Sequence, residues 1–431
     1  MLDTETEGVD LEAVEFGLRS RLQKVGSAIL KGLAERKKGG YQGTSIKCDC
    51  GEMARFIDYR QKILRTVVGE ISVRRAYYYC SGCGNGIIPQ DREWDVVKTE
   101  FSPGLRRLMS RVGATEAFLR GSADLQELTG IRVQAKDVER VAEATGATIR
   151  RQEELLQEAI YSGKVIVPQT KESVDTVYIA VDGTGVPVLS KETVGRKGKG
   201  PDGKAKSREA KLGCIFIQTK TDTNGRPVRD EDSTTYIGII QDSQCFGKEL
   251  YAELQRRGLR KAKRLVVIGD GATWIRELAD EQFPEAIQIV DLYHAREHLW
   301  KAARDFYPQQ EKKRNRWVVR RIEELDRGDV DSILKAYRRL SPADPAALKT
   351  LRVETEFFRK NRLRMQYGLF RKSGLFVGSG VIEAGCKTVI GLRLKQSGMH
   401  WTVRGANSII SLRRCIMNGL WEEYWASRCH A

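Results

Sequence analysis

The stretch Val177-Tyr-Ile-Ala-Val-Asp-Gly-Thr-Gly185 decides the fold class. Val177, Tyr178, Ile179 and Val181 are β-branched or aromatic, and their continuous apolar run reads as a buried strand. The run meets Asp182 and then Gly183 and Gly185, residues that permit a tight turn or the close approach of a ligand. The same pattern recurs in Leu265-Val-Val-Ile-Gly-Asp-Gly-Ala272, and a third apolar run, Ile287-Gln-Ile-Val290, ends in Asp291-Leu-Tyr-His294. Two readings stand for each Asp. An Asp-Gly pair makes turns. Carboxylates at the carboxyl ends of neighbouring strands also converge on hard divalent cations, because Mg²⁺ takes oxygen ligands and keeps positions open for substrate phosphates. Recurrence at Asp182 and Asp270, with a further carboxylate in Gly378-Ser-Gly-Val-Ile-Glu-Ala-Gly-Cys-Lys387, favours the second reading.

Working outward, strand patterns cover Thr176–Val181, Leu212–Lys220, Thr235–Gln241, Arg264–Ile268 and Ala286–Val290, with a helix at Lys248–Arg257. Three strands in succession followed by alternating helix and strand predict an α/β domain with a mixed sheet. Residues 299–372 are helical in pattern, a 74-residue insertion within that domain, and a final helical block carries Glu383.

Towards the amino terminus, Leu11, Val14, Leu18, Leu22, Val25, Ile29 and Leu33 form one helical stripe that stops at Lys37-Lys-Gly-Gly40. The helix packs on its own domain or pairs as a coiled coil. Short strands follow at Met53–Arg60, Ile63–Val68 and Ile71–Tyr79, with Gly69-Glu70 as the hairpin turn. Cys48 and Cys50 precede them and Cys80 and Cys83 follow, two close pairs suited to tetrahedral zinc in a zinc-ribbon-like module. So small a module has little core, and the metal would supply much of its folding energy. Beside the second pair, Arg74-Arg-Ala-Tyr-Tyr-Tyr79 suits nucleic acid, although a purely structural ribbon has the same composition. Ala123–Val138 reads as two short helices joined at Thr129-Gly130, the outline of a helix-turn-helix with Gln134 and Lys136 facing a DNA groove; helical proteins also produce this outline without binding DNA.

The chain has 431 residues, 74 Lys+Arg against 57 Asp+Glu, a net charge of +17 and 41% hydrophobic residues, which exclude disordered and fibrous classes. No run reaches the roughly 18 apolar residues of a membrane span. The start, Met1-Leu-Asp-Thr-Glu5, lacks a signal-peptide pattern, so a cytoplasmic location is expected and paired cysteines are read as metal ligands. The positive excess is concentrated. Residues 299–372 carry 20 basic and 10 acidic side chains, and the loop 191–211, with Arg196 and Lys197, carries 8 and 3. Both flank the carboxylates, which suits a polyanion held across them.

In order along the chain, the segments around Asp182, Arg208–Cys214, Asp270, Asp291–Trp300 and Gly378–Trp401 resemble an insertion-sequence transposase of the DDE class, close to the Mutator-like branch and specifically the ISKra group. The cysteine module with Tyr77-Tyr-Tyr-Cys80 matches that group's amino-terminal region. The resemblance implies a ribonuclease-H-like catalytic fold in which Asp182, Asp270 and Glu383 hold two Mg²⁺ ions. It also implies a helical insertion before the glutamate, and an auxiliary role for Asp291 and His294. The implied activity is cleavage at the ends of an insertion sequence and transfer of the 3′ ends to target DNA. A catalytically silent DNA-binding regulator and a structure-selective nuclease of the same fold are the alternatives. Double-stranded DNA, as terminal inverted repeats and target, is the expected partner. Joining two ends implies a homo-oligomer, in a bacterial, nucleoid-associated setting. Lys387 and Lys395 are candidate phosphate contacts, and Trp401 stacks on an unpaired base or lies in the core. His298, on the same helical face as His294, is a metal ligand or a satisfied core histidine.

The expected segments are thus residues 1–40 (helix, oligomerisation), 41–97 (zinc module), 98–172 (helix-turn-helix-like), 173–298 (first part of the catalytic core), 299–372 (basic helical insertion) and 373–431 (second part of the core).

Overall fold

The computed structural model describes residues 10–165, 174–198, 203–342 and 344–428; the start of the chain, the centre of the basic loop and the last three residues lie outside these. The six expected segments gather into two units. One holds the chain up to Thr145 together with Glu422 onward, and the other spans Gly146–Trp421, so the chain after Trp421 belongs with the first unit and not with the glutamate-bearing segment.

In the first unit, helix α1 (Leu11–Arg36) precedes an antiparallel sheet of β1 (Ser45–Lys47), β2 (Met53–Thr66), β3 (Gly69–Tyr79) and β4 (Gly86–Ile87), in that order. The two segments expected between Met53 and Val68 are one long strand, irregular at Phe56–Asp58, because β3 continues as its partner along the whole length. The hairpin turn falls at Val67-Val68, and Gly69, at φ +110°, is the first residue of β3. Helix α1 turns Gln23, Gly26, Ser27, Leu30 and Ala34 inward: Ser27 donates to the Val68 carbonyl, and Gln23 to the Thr129 carbonyl at 2.6 Å. The predicted apolar stripe faces away. After the short helix α2 (Pro89–Glu93) come α3 (Pro103–Thr115), α4 (Phe118–Thr129) and α5 (Ala135–Tyr161), built around Leu105, Met109, Leu125 and Val138. The second helix of the expected helix-turn-helix is therefore not short. Gly130, at φ +73°, ends α4, and the Gln134 carbonyl accepts the first N–H groups of α5, which then runs for 27 residues.

In the second unit, β5 (Thr176–Pro187), β6 (Ser207–Gln218), β9 (Thr235–Ile239), β10 (Arg264–Gly269) and β11 (Ile287–Val290) form a mixed sheet in the order β11-β10-β5-β6-β9. A small ribbon, β7 (Lys220–Thr221) with β8 (Pro227–Val228), extends the β6 end. Strands β5, β6 and β9 are antiparallel, whereas β5, β10 and β11 are parallel. The alternation of side chains divides the sheet cleanly. Val177, Ile179, Val181, Ile215 and Val267 pack against Phe246 and Leu250 of α6 (Ser243–Arg256) and Ile275 and Leu278 of α7 (Thr273–Gln282). Tyr178 and Phe216 point to the opposite face, where they stack at 4.9 Å and meet the edge of Phe376.

The insertion consists of α8 (Leu292–Phe306), α9 (Glu311–Arg327), α10 (Val330–Arg338), α11 (Pro345–Asn361) and α12 (Tyr367–Lys372). Its own aromatic core stacks Trp317 on Tyr337, with Phe306 and Phe358 edge-on to that tyrosine. The chain returns as α13 (Gly380–Gly385), a π-helical turn at Cys386–Gly391, α14 (Leu392–Leu394), α15 (Val403–Met417) and α16 (Trp421–Ser427). Helix α15 runs along β9, where Asn407 and Asn418 accept the N–H groups of Ile240 and Tyr236 at 2.8 Å. A Cβ at Gly146 of α5 would stand 1.9 Å from the Ser408 carbonyl oxygen, so this crossing requires glycine. Among the described residues, no helix is long and apolar enough to cross a membrane.

Candidate active site and metal centre

Strand register brings the aspartates into one row. Ile268 pairs with Ala180 in the parallel β10–β5 ladder, and Gly269 pairs with Val290 in β10–β11. Continuing those registers by two residues and by one sets Asp270 beside Asp182 and Asp291 beside Asp270. Neighbouring strands are about 4.8 Å apart. By strand alternation Asp182 lies on the Tyr178 face, the face of β5 and β6 against which α13 packs, and Asp270 and Asp291 are the residues just beyond β10 and β11.

The glycines around them act differently from each other. Strand β5 does not end at Asp182: Asp182 pairs with Leu212, and the antiparallel ladder continues to Pro187 and Ser207. The turn reading therefore fails at Asp182-Gly183. A Cβ at 183 would come within 2.6 Å of a Glu209 carboxylate oxygen, the end of a half-exposed side chain that can move aside. At Asp270 the turn is real, with Gly271 at φ +88° and an Asp270 oxygen accepting the Ala272 N–H at 2.8 Å.

Asp291 is fully buried and caps α8. One of its oxygens accepts the His294 N–H at 2.8 Å and lies 3.3 Å from His294 Nδ1; the other accepts the Ser379 N–H. Ser379 caps α13, which bears Glu383 one turn on. Asp291 thus ties the end of β11 to the helix of the glutamate. Burial pushes its carboxyl upwards, but the hydrogen bonds from His294 and Ser379 prevail and hold it below the ordinary carboxylate range. The hydrogen bond to Asp291 in turn raises His294 to about 9 against the opposing effect of burial. Ligand atoms of Asp291, His294 and Glu383 lie within 4.8 Å of one another. Each Asp291 oxygen keeps a lone pair beside its N–H donor, so this trio could hold a cation; among the described residues Asp182 and Asp270 are not part of this converging group.

Cys386, one turn beyond Glu383, places its Sγ 3.4 Å from Asp182 Oδ2. Burial, then the charge of Asp182, keeps its thiol protonated by raising its pKa far above the usual value. Sequence reasoning passed over this residue, although a separation of three from Glu383 on a helix was the available signal. Lys395 donates to the Thr184 hydroxyl, two residues from Asp182. Lys387, Arg196, Lys197, Gln134 and Lys136 are exposed, and Lys136 forms an ion pair with Glu139 at 2.8 Å. Trp401 corrects one expectation. It is only 6% exposed and its indole N–H donates to the Leu394 carbonyl at 3.1 Å, so its ring is part of the core and presents no face to an unpaired base. His298 holds Glu354 through Nδ1 at 2.6 Å and stacks on Phe357, the arrangement of a satisfied histidine.

A cationic cleft of about 880 Å³ lies between α7, the start of β11 and the insertion. Arg276, Lys335, Arg338, Arg359, Lys360, Arg362 and Arg364 line it, with Asp280 and Asp331 as its acidic side chains. Arg276, Lys360 and Arg364 also line a smaller pocket that reaches Gly271, next to Asp270. Burial and then the Arg276 charge push Arg364 below the ordinary arginine range.

In the first unit, Cys48, Cys50, Cys80 and Cys83 converge. Sγ–Sγ separations of 3.6 Å for Cys48–Cys83 and Cys50–Cys80 approach the ~3.8 Å edge of a tetrahedron with 2.3 Å Zn–S bonds. Both knuckles close on glycines with positive φ, Gly51 at +95° and Gly84 at +73°. The Cys83 backbone N–H lowers Cys80 to about 7, whereas Cys50, crowded by the other three thiols, is pushed up to about 12, so without a cation the cluster favours one thiolate among its four sulfurs. The four residues fit zinc.

No family model matches the chain. It is 22% identical over 364 residues to the UPF0236 protein in vanSb 3′region from Streptococcus gallolyticus, covering 83% of this chain and 73% of that protein. Among solved structures, a chain of the Drosophila P element transposase strand transfer complex aligns over 73% of this chain and 79% of its own length, at 11% identity and a TM-score of 0.23.

Proposed function

We propose that this chain is a DDE transposase of the ISKra group that cuts DNA at the ends of an insertion sequence and transfers the freed 3′ ends to target DNA. The observation that carries the reading is the parallel register of β5, β10 and β11, which leads Asp182, Asp270 and Asp291 towards neighbouring positions beside α13 and its Glu383. A five-stranded sheet with three antiparallel strands and two parallel ones added beside the first supports a ribonuclease-H-like catalytic core.

Asp182, Asp270 and Glu383 would hold two Mg²⁺ ions, which when bound supply an activated water and charge stabilisation of the leaving 3′ oxygen. Asp182 on β5, Asp270 just beyond β10 and Glu383 on the covering helix offer the oxygen ligands that such hard cations take. The chain's own residues do the positioning. Asp291 anchors the glutamate helix through Ser379. Cys386 donates to one Asp182 oxygen and orients the carboxylate. Lys395 beside Thr184, and exposed Lys387, face incoming phosphates, while the cleft around Arg338 and Arg364 carries the DNA backbone away from the site. The zinc module and the α4–α5 unit, with Gln134 and Lys136 exposed, would read the terminal repeats.

The test is a purified-protein assay with Mg²⁺ and labelled DNA bearing the element's ends. Asp182→Ala, Asp270→Ala and Glu383→Ala should each abolish cleavage and joining while end binding persists. Joining at the wild-type rate in any of the three would remove that residue from the site; cleavage without joining by the wild type would replace transposition with a nuclease.

A further inference from the structure

We propose that α1 is a self-association element through which two copies of this chain pair in antiparallel orientation. Leu11, Val14, Leu18, Leu22, Val25, Ile29 and Leu33 are each between 52% and 66% exposed. They lie on one side of the helix, because the face turned to its own sheet is the one with Gln23, Gly26, Ser27 and Ala34. Single exposed leucines are ordinary, but an unbroken apolar stripe along a 26-residue helix, about 39 Å long, marks an interaction surface.

Two observations select a second copy as the occupant. The stripe repeats every 11 residues: Leu11, Leu22 and Leu33; Val14 and Val25; Leu18 and Ile29. Three apolar positions per 11 residues, 3.67 per turn, follow an α-helix almost without drift and match a partner helix of the same period, with a slight right-handed supercoil. A two-fold axis at Leu22 sets Leu22 on its counterpart, Leu11 on Leu33, and Leu18 near Val25, a self-complementary contact. The charges set the direction. Residues 10–18 contain three acidic and no basic side chains, whereas residues 19–38 contain seven basic and one acidic. Antiparallel pairing brings each acidic half beside a basic half; parallel pairing sets like against like.

Sedimentation equilibrium of the full chain over the micromolar range tests this. The wild type should form dimers, and Leu18→Glu with Ile29→Glu should weaken dimerisation at least about 100-fold while the variant keeps its helical content and unfolds cooperatively, since both side chains are exposed in the single chain. Leu22→Asp is the second probe should the double variant fail to fold. Glu12→Lys with Glu15→Lys should weaken the dimer about tenfold at low salt. A wild type that stays monomeric, apolar-stripe variants that dimerise normally, or a chain that binds vesicles through the stripe in place of a second copy would each overturn self-association, and indifference to the Glu12/Glu15 reversal would overturn the antiparallel arrangement. The inference is independent of the proposed reaction: Asp182→Ala should dimerise like the wild type.

Discussion

Cys386 Sγ stands 3.4 Å from Asp182 Oδ2, so the helix that carries Glu383 also delivers a hydrogen-bond donor to the carboxylate on the central strand. A hydrogen bond to a charged group is worth about 1.5–3 kcal/mol. Cys386→Ala should therefore lower metal-dependent DNA cleavage roughly tenfold, with little change in DNA affinity, and Cys386→Ser, which keeps a donor, should stay within a few-fold of wild type. Equal rates for all three proteins in single-turnover cleavage would show that the thiol does not orient Asp182.

The cysteine centre predicts one zinc per chain. Cys80→Ser with Cys83→Ser should remove it and lower the melting temperature of the first unit, because Ala54, Ala76 and Tyr78 form only a small core around the cysteines. Metal analysis of the purified variant checks this directly, and undiminished zinc would refute the site.

Lys335 and Arg338 of the cationic cleft form no ion pair with another described residue. Lys335→Glu with Arg338→Glu should weaken double-stranded DNA binding by tenfold or more and flatten its salt dependence, each lost phosphate contact reducing the slope by roughly 0.9. Affinities measured across a series of salt concentrations distinguish this from unfolding; an unaltered slope would take the DNA out of the cleft.

Glu354 is buried in the insertion between His298 Nδ1 at 2.6 Å and Lys301 Nζ at 2.8 Å. Burial raises its pKa, and the hydrogen bonds from His298 and Lys301 more than reverse that, leaving it below the ordinary value. A carboxyl depressed on folding contributes stability above the unfolded pKa of about 4.3 and loses it as pH falls through the lower folded value. Urea midpoints measured below about pH 5 should fall steeply for the wild type and less steeply for Glu354→Gln. Parallel curves would mean that another group governs the acid limb.

Much of the candidate site was legible because its parts are local. An apolar run that meets Asp and Gly is visible in the chain at 182 and 270, and two close cysteine pairs are visible at 48–50 and 80–83. The extent of β5 was not, since a strand continues past Asp182 only when β6 begins at Ser207 to pair with it. Nor was the burial of Trp401: an aromatic side chain after a basic, glycine-containing segment looks the same in sequence whether it stacks on a base or donates to the Leu394 carbonyl.

Sequence by itself determined the order of the main helical and strand segments, though not their extents, where the carboxylates and thiols fall along the chain, and that α1 carries one apolar stripe. Tertiary structure decided what those features meet. The row of three aspartates depends on parallel register, which is set by packing across strands and not by any one strand. Helix α1 shows the same division. Its periodicity creates the stripe, but hydrogen bonds from Ser27 and Gln23 and close approach at Gly26 seat the opposite side on the sheet and leave Leu11 to Leu33 facing outward. Hydrophobic periodicity specifies that a face will be buried; whether its own chain or another copy buries it depends on which side offers the better fit to the neighbouring strands.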